Sequence, residues 1–327
     1  MKKRKKSKLV FIISVFLIAA VLTTAAITGF NYYKSNLNYK REAANAKAKA
    51  AAKAKLQAKA EVKHHKDLKV SKISTPQKQT DAVEMARQAA AKYIGLKDVG
   101  VYCIELNSGK SFGINQDKVY YAASTGKLPE ILYTQKKLNQ GIIRSDTKFQ
   151  YHDYVNNIPG AMIRGGTGIL KNNLKDGELV SVDTLLKYAC SYSDNLAANM
   201  IGYYICDKND GEFKSYIGSV LSRNITTFSK YFSARDVAVL MNTLYIQNHS
   251  GDQAISYLKN TKWDNVKIPK YLPVKTAHKI GINGAYNHDV AIVYTKNPYI
   301  ISIMTRGEND EFISQLSKRI YDILKKS

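Results

Sequence analysis

The position of the strand-like segments constrains the fold of this chain more than any other feature, because they lie on both sides of a long helical region. Alternating or continuous apolar runs of strand length predict strands at 99–106, 111–115, 274–280, 289–295 and 299–305. Turn residues at 107–110 join the first two strands into a hairpin. Strand groups at both ends share one core if they join one sheet. We therefore predict an α+β fold, an αβα sandwich in which helices flank one antiparallel five-stranded sheet built from both chain ends.

Helical periodicity dominates the segments between and around these strands. It predicts helices at 80–94, 128–138, 182–192, 196–205, 213–221, 235–247 and 311–325. Ser233 and Asp236 have the spacing of a capping box, which fixes the start of the helix at 235. The helices of the central region predict an all-helical middle subdomain beside the sheet.

The N-terminus combines a basic tail with a long uncharged run. Six of the first eight residues are Lys or Arg, and residues 9–30 contain no charge. Such a run can cross about 30 Å of hydrocarbon, it exceeds a usual cleavable signal, and no Ala-x-Ala site directly follows it. The cationic bias toward the N-terminal side places residues 1–8 in the cytoplasm. We predict a cytoplasmic basic tail (1–8) and an uncleaved transmembrane helix (9–30) that crosses the cell membrane once. The rest of the chain is then predicted to be extracytoplasmic.

The segment 31–76 is rich in Ala and Lys and is predicted to form a stalk. Residues 1–72 hold 18 Lys/Arg and 3 Asp/Glu, so 15 of the chain's 24 net positive charges lie there. The stalk has good helix formers but no apolar face, which indicates a solvated segment. It is either a plain spacer or a site for anionic wall polymer or lipid headgroups. It lacks aromatic and base-reading partners, so no nucleic-acid partner is predicted. The folded domain is predicted at 77–327.

Cysteines and histidines give no metal or cofactor site. Cys103, Cys190 and Cys206 are too scattered for a disulfide framework or a Cys-x-x-Cys site, and we interpret them as small buried side chains, with one disulfide left open.

The histidines His152, His278 and His288 lack metal-ligand spacing, so we expect no metal. His278 or His288 with Asp289 could form a Ser-His-Asp triad, but no Gly-x-Ser-x-Gly elbow accompanies them. We interpret all three histidines as structural or surface residues.

The segment Ser124-Thr125-Gly126-Lys127 follows an apolar run and opens a predicted helix. A hydroxyl there lies where the helix dipole favours an anion, and Lys127 projects from the same face one turn later. A buried lysine near other cations loses proton affinity and can accept the proton of Ser124. The plain alternative is that Ser124 only caps the helix. The same spacing at Ser256 and Lys259 is interpreted as chance in a lysine-rich chain.

Two more polar motifs follow in order. Ser193-Asp194-Asn195 connects two predicted helices, where side chains either face a cleft or cap a helix. Lys279-Ile280-Gly281 stands at the end of a predicted strand, and we expect Gly281 and Gly284 to let the backbone approach a ligand closely. An isolated lysine at such a place is usually only solvated.

As an ordered set, the three motifs resemble those of the penicillin-recognising serine enzymes, and most closely the class A β-lactamase-like family. Residues 165–170, 193–199, 233–238 and 304–307 are also similar to that family's signatures, and the likeness spans about 95–320. The resemblance implies an acyl-enzyme mechanism without a cofactor. Ser124 would be the acylated nucleophile, Lys127 its base, and Ser193 a proton relay to the leaving nitrogen.

The resemblance also implies a substrate-binding set. Asn195 would hold the substrate amide and Lys127, while Lys279 would attract the substrate carboxylate beside Gly281. The backbone N–H groups of Ser124 and Ile282 would form the oxyanion hole.

Two departures from the family pattern qualify the expected activity. Ile280 stands where a Thr or Ser usually hydrogen-bonds the substrate carboxylate, and one such bond is worth about 1.5 to 3 kcal/mol. Residues 213–235 contain no Asp or Glu, whereas the efficient hydrolases of the family keep a water-activating glutamate before the helix that starts near 235. We expect acylation by β-lactams or D-Ala-D-Ala-type wall peptides and slow deacylation. The alternative is a catalytically weak protein that binds peptidoglycan or anionic polymer.

Overall fold

The computed structural model describes residues 81–206, 211–227, 229–247 and 252–326. The predicted tail, anchor and stalk lie outside these residues. Within them, no helix combines the length and the apolar character that a membrane span requires.

The described residues alternate short strands with helices. The strands are β1 (Val99–Glu105), β2 (Ser111–Ile114), β3 (Val119–Tyr121), β4 (Lys148–Gln150), β5 (Leu179–Ser181), β6 (Tyr231–Ser233), β7 (Thr276–Asn283), β8 (Tyr286–Val293) and β9 (Tyr299–Arg306). The α-helices are α1 (Ala82–Ile94), α2 (Leu128–Asn139), α3 (Leu170–Asn173), α4 (Val182–Ser191), α5 (Asn195–Tyr204), α6 (Gly211–Val220), α7 (Ala234–Ile246), α8 (Gln253–Leu258) and α9 (Asp310–Leu324). Short 3₁₀ helices lie at Ala123–Lys127, Asp153–Asn157 and Ile268–Tyr271.

Both chain ends build one five-stranded sheet, in the order β2-β1-β9-β8-β7. Strand β1 pairs with the C-terminal strand β9 from Val99 opposite Thr305 to Glu105 opposite Tyr299, and every pairing in the sheet is antiparallel. The predicted antiparallel sheet shared by both ends is therefore confirmed. The prediction of an all-helical middle is wrong, because the ribbon of β4 and β5 lies within it. Neither this ribbon nor the one of β3 and β6 was predicted, since three residues are too few to show a period.

Both faces of the sheet are covered by helices. Along β9, Ile301 and Ile303 belong to the core under α1 and α9, while Ile300 and Met304 belong to the core under the helical middle. A strand buried on both faces shows a continuous apolar run instead of alternation. The three cysteines are buried and free.

The hairpin of β7 and β8 corrects two predicted boundaries. Strand β7 extends to Asn283 rather than 280, and β8 begins at Tyr286 rather than 289. Gly284 has φ of 56° and precedes Ala285, so a two-residue turn with glycine first joins the strands and pairs Asn283 with Tyr286. Lys279 consequently lies in the middle of an edge strand, not at its end.

The junction between α4 and α5 depends on one buried carboxylate. Asp194 caps α5 by accepting from Ala197 N at 3.0 Å, and its other oxygen accepts from Ile169 N at 2.7 Å and Leu170 N at 2.8 Å. A Cβ on Gly168, whose φ is 128°, would lie 2.3 Å from the Asp194 carboxyl carbon. The carboxylate therefore fastens the glycine-containing loop 165–168 to the start of α5.

Replacing Asp194 with alanine should destabilise the protein strongly, because three backbone N–H groups lose a charged acceptor. We expect a loss of about 4 kcal/mol in unfolding free energy, a decrease in Tm of about 10 °C. Thermal unfolding followed by circular dichroism measures it. The control is Ser181→Ala, which removes one backbone cap bond, from Thr184 N, and one hydroxyl contact, to Thr184 Oγ1, and should cost about 1 kcal/mol. Equal decreases in Tm for the two variants would contradict this account of the junction.

Candidate active site

Ser124 lies in the 3₁₀ helix that leads into α2, at the mouth of a buried polar cluster. The turn is held by Ala122 O, which accepts from Thr125 N at 3.1 Å and from Thr125 Oγ1 at 2.7 Å. No side chain caps α2, so Ser124 is not the helix cap. Its Oγ instead lies 3.0 Å from Lys127 Nζ. Ser124 is partly exposed, whereas Lys127 is fully buried.

Lys127 is held by groups from the second motif. Its Nζ donates to Ser193 O at 2.5 Å and to Asn195 Oδ1 at 2.7 Å, and it lies 3.3 Å from Ser193 Oγ. A neutral amine has two N–H donors and one lone pair. The two short bonds use the donors, which leaves the lone pair for the Ser124 hydroxyl proton. This geometry suits a base that takes the proton of Ser124.

Burial lowers the pKa of Lys127 well below its ordinary 10.5, and the cation of Lys279 lowers it further. The negative charges of Asp194 and Glu130 act in the opposite direction but do not compensate. Burial also lowers the pKa of Lys279, to about 8, so this second lysine keeps its proton at neutral pH. One lysine of the cluster is therefore suited to accept a proton and the other to attract an anion.

Ser193 connects the two lysines. Its Oγ accepts from Lys279 Nζ at 2.7 Å, and its φ of 51° lies in the left-handed region that a non-glycine residue seldom adopts. This conformation directs both its carbonyl and its hydroxyl toward Lys127. The strain is characteristic of residues held in place by a functional site.

Asn195 joins the cluster to the glycine loop. Its Nδ2 donates to Ile163 O at 2.9 Å, and its backbone N donates to Thr167 O at 2.8 Å. A Cβ on Gly166 would lie 2.3 Å from Asn195 Nδ2, so glycine is required for this approach.

Strand β7 forms the opposite wall. A Cβ on Gly281 would lie 2.6 Å from Ala122 O and 3.2 Å from Ser124 N, so this glycine lets the strand pack against the serine turn. The close approach that we expected Gly281 to allow toward a ligand is therefore made to the protein's own backbone. A Cβ on Gly284 would have no atom within 4 Å, so this glycine is not required for a close approach. Its positive φ instead fits the hairpin turn.

The backbone of Ile282 faces away from β8. The turn makes Asn283 and Tyr286 a hydrogen-bonded pair, so Ile282, one position earlier, directs its N–H to the free edge of the sheet. Its side chain is 53% exposed. Ile282 therefore follows directly on the glycine that packs against the serine turn, with its N–H at the free edge of the sheet.

The histidines do not form the rival triad. His278 Nδ1 is 3.1 Å from both carboxylate oxygens of Asp289, and its Nε2 is 2.8 Å from Thr261 Oγ1. Burial alone would lower the pKa of His278, but the charges of Asp289 and Asp264 raise it to about 9. A protonated imidazole cannot act as the base of a triad.

His288 is also structural. Thr305 N donates to its Nδ1 at 3.1 Å, so its proton is on Nε2, which donates to Tyr121 O at 2.8 Å. Burial lowers the pKa of His288 to about 4.

The sequence profile of a beta-lactamase enzyme family matches residues 81–324, about three quarters of the chain. The chain belongs to this family. The resemblance to class A β-lactamases noted in the sequence is thereby confirmed, and the five residues Ser124, Lys127, Ser193, Asn195 and Lys279 come together in one hydrogen-bonded cluster.

Solved structures show the same β-lactamase fold. PBP-A is 22% identical, with a TM-score of 0.62, and the match covers 79% of this chain and 100% of PBP-A. A PBP-A mutant solved as an acyl-enzyme complex with penicillin G gives the same identity and TM-score over 78% and 100%. A class A β-lactamase from Bacteroides cellulosilyticus is 18% identical, with a TM-score of 0.65 over 76% and 100%. No curated protein sequence matches the chain.

Lys230 is a residue near the site that the motifs did not indicate. It belongs to the connection between α6 and β6, its backbone O accepts from Ala122 N at 2.8 Å, and its Nζ donates to Ala161 O. Its positive charge contributes to the lowered pKa of Lys127. The sequence signal that could have indicated Lys230 is its position in the connection between α6 and β6, which contains no carboxylate. The connection between α6 and β6 thus brings a cation near Lys127.

Removing the charge of Lys230 should raise the pKa of Lys127, because a nearby cation disfavours the protonated amine. We expect the Lys127 side-chain resonance to titrate at higher pH in Lys230→Met than in the parent, in ¹³C NMR of labelled lysine assigned with Lys127→Met. Lys230→Arg retains the charge and should leave the titration near that of the parent. An unchanged titration in Lys230→Met would show that Lys230 has no electrostatic effect on the site.

Proposed function

We propose that the protein is a membrane-anchored, extracytoplasmic serine acyl hydrolase or transferase that forms an acyl-enzyme at Ser124 with β-lactams or D-Ala-D-Ala-type wall peptides and releases it slowly. The observation that carries the proposal is the position of Lys127 Nζ, whose two hydrogen bonds to the second motif leave its lone pair for Ser124. The PBP-A mutant whose fold this chain shares is an acyl-enzyme with penicillin G, which supports the choice of probe.

These residues account for every bond and proton of the proposed acylation. Ser124 Oγ attacks the carbonyl carbon as its proton passes to Lys127 Nζ, and the N–H groups of Ser124 and Ile282 stabilise the oxyanion. The carbon–nitrogen bond then breaks. Lys127 returns its proton to the leaving nitrogen through Ser193 Oγ, which lies 3.3 Å from Nζ. Lys279, next to Ser193, provides the charge that attracts a substrate carboxylate.

We infer slow release from the segment 213–235, which offers no second base. Residues 213–235 contain no carboxylate, and Lys230 extends from this connection to Ala161. The carboxylate of Asp194, which belongs to the second motif, is already occupied by three backbone N–H groups. Lys127 or bulk solvent would then have to activate the water.

Incubation of the full-length protein with penicillin G should add the mass of one penicillin molecule, observed by intact-mass spectrometry. Ser124→Ala should remove the adduct, whereas Ser256→Ala, at the second serine with the same spacing to a lysine, should retain it. The adduct should turn over more slowly than the roughly 1 to 1,000 per second typical of enzymes.

Two results would contradict parts of the proposal. No adduct at millimolar penicillin would reject acylation, and cell-wall binding that then survived Ser124→Ala would favour the binding-protein alternative. Steady hydrolysis of a chromogenic cephalosporin at ordinary enzyme rates would reject slow release.

A hydroxyl at position 280 should restore a contact to the substrate carboxylate. Ile280→Thr is expected to increase the second-order rate constant of penicillin acylation by at least about tenfold, the effect of one charge-assisted hydrogen bond. Ile280→Val, which has the shape of threonine without its hydroxyl, is the matched control. Stopped-flow competition with a fluorescent penicillin measures both variants. Equal rate constants for Thr and Val would show that the missing hydroxyl does not limit acylation.

A further inference from the structure

A row of aromatic side chains lies on the surface of the helical middle. The tyrosine row consists of His152, Tyr154, Tyr203, Tyr204 and Phe149, whose neighbouring ring centroids are 5.3, 5.1, 4.8 and 4.6 Å apart. Tyr154 is 47% exposed and Tyr203 39% exposed. Tyr204 is fixed by donating its hydroxyl to Gln150 O at 2.6 Å. The row therefore presents two partly exposed rings, Tyr154 and Tyr203, that the acylation mechanism does not use.

A polar cleft of about 220 Å³ lies beside this row. The 3₁₀ helix that carries Tyr154 also contributes Asp153 and Asn156 to the lining of the cleft. Arg164, on the opposite side, binds Asp153 at 2.6 Å, and Lys171 Nζ donates to Gly165 O at 2.7 Å. Hydrogen-bond donors and acceptors are thus held in fixed positions around a space that accommodates one sugar ring.

The cleft is continuous with the acylation cluster. Asn195 and the loop residues Gly165 and Gly166 line the cleft, and the same Asn195 accepts from Lys127. A ligand bound in the cleft would contact the loop that holds Asn195 through Ile163 O and Thr167 O. Asn195 is therefore the residue that the cleft and the acylation cluster share.

We propose that the tyrosine row and the cleft form a glycan subsite for a strand of N-acetylated hexosamines, the polymer that carries wall peptides. A sugar ring has an apolar C–H face that stacks on an aromatic ring, and its edge of hydroxyl and amide groups requires both donors and acceptors. Two exposed rings beside ion-paired side chains are too small an apolar patch for a large protein interface. The inference rests on the proposed function, since it makes the acyl donor a peptide linked to glycan.

Titration of the full-length protein in detergent with chitotetraose, a linear tetramer of N-acetylglucosamine, tests the subsite by isothermal calorimetry. Tyr154→Ala and Tyr203→Ala should each weaken binding about tenfold, or about 1.4 kcal/mol. Tyr154→Phe and Tyr203→Phe keep the ring and should bind within about twofold of the parent. Tyr271→Ala, at a tyrosine that is 37% exposed and hydrogen-bonded to Glu311 in another part of the fold, should bind like the parent.

The outcomes separate this inference from the acylation proposal. Loss of binding in the Ala variants, with Tm values equal to the parent and binding retained in the Phe variants, supports the subsite. No binding at millimolar chitotetraose, or equal binding by all variants, overturns it even if penicillin labels Ser124. Ring-dependent binding by a parent protein that penicillin does not label would support the subsite and reject the acylation proposal.

Discussion

The site depends on the burial of one amine between two motifs that are far apart in sequence. Lys127 donates to Ser193 O and Asn195 Oδ1, 66 and 68 residues later, and its third position faces Ser124. An ammonium ion in this place would lack water and would lie near the cation of Lys279, so the neutral form is favoured. Its burial and the nearby Lys279 cation therefore make the positioned amine a base.

The surrounding fold keeps this amine in place. Asp194 fixes the start of α5 and the glycine loop, and Asn195 extends that support to Lys127. On the other side, Gly281 lets the edge strand β7 contact the serine turn, which brings Lys279 to Ser193. Both supports depend on close backbone contacts at glycine positions, where the Cβ of any other residue would clash. The geometry for acylation thus comes from packing at glycine positions as much as from the motif side chains.

Sequence patterns predicted the larger part of the fold and of the cluster. The sheet from both chain ends, the capping box at Ser233 and Asp236 and the family relationship are confirmed. The ends of β7 and β8 were wrong, since strands buried on both faces carry no alternation that marks their limits. Lys230 was missed because a contact to Ala161, 69 residues earlier, leaves no local pattern. The packing role of Gly281 is likewise visible only once β7 lies against the serine turn.

The central claim is that neutral Lys127 accepts the proton of Ser124, and the most direct test is the single-turnover rate of penicillin acylation in Lys127→Arg. Arginine keeps a long side chain with hydrogen-bond donors but cannot lose its proton in a protein. The account predicts a loss of at least about a hundredfold, the effect of removing a general base, in a variant that remains folded. Acylation of Lys127→Arg at a rate near that of the parent would contradict it.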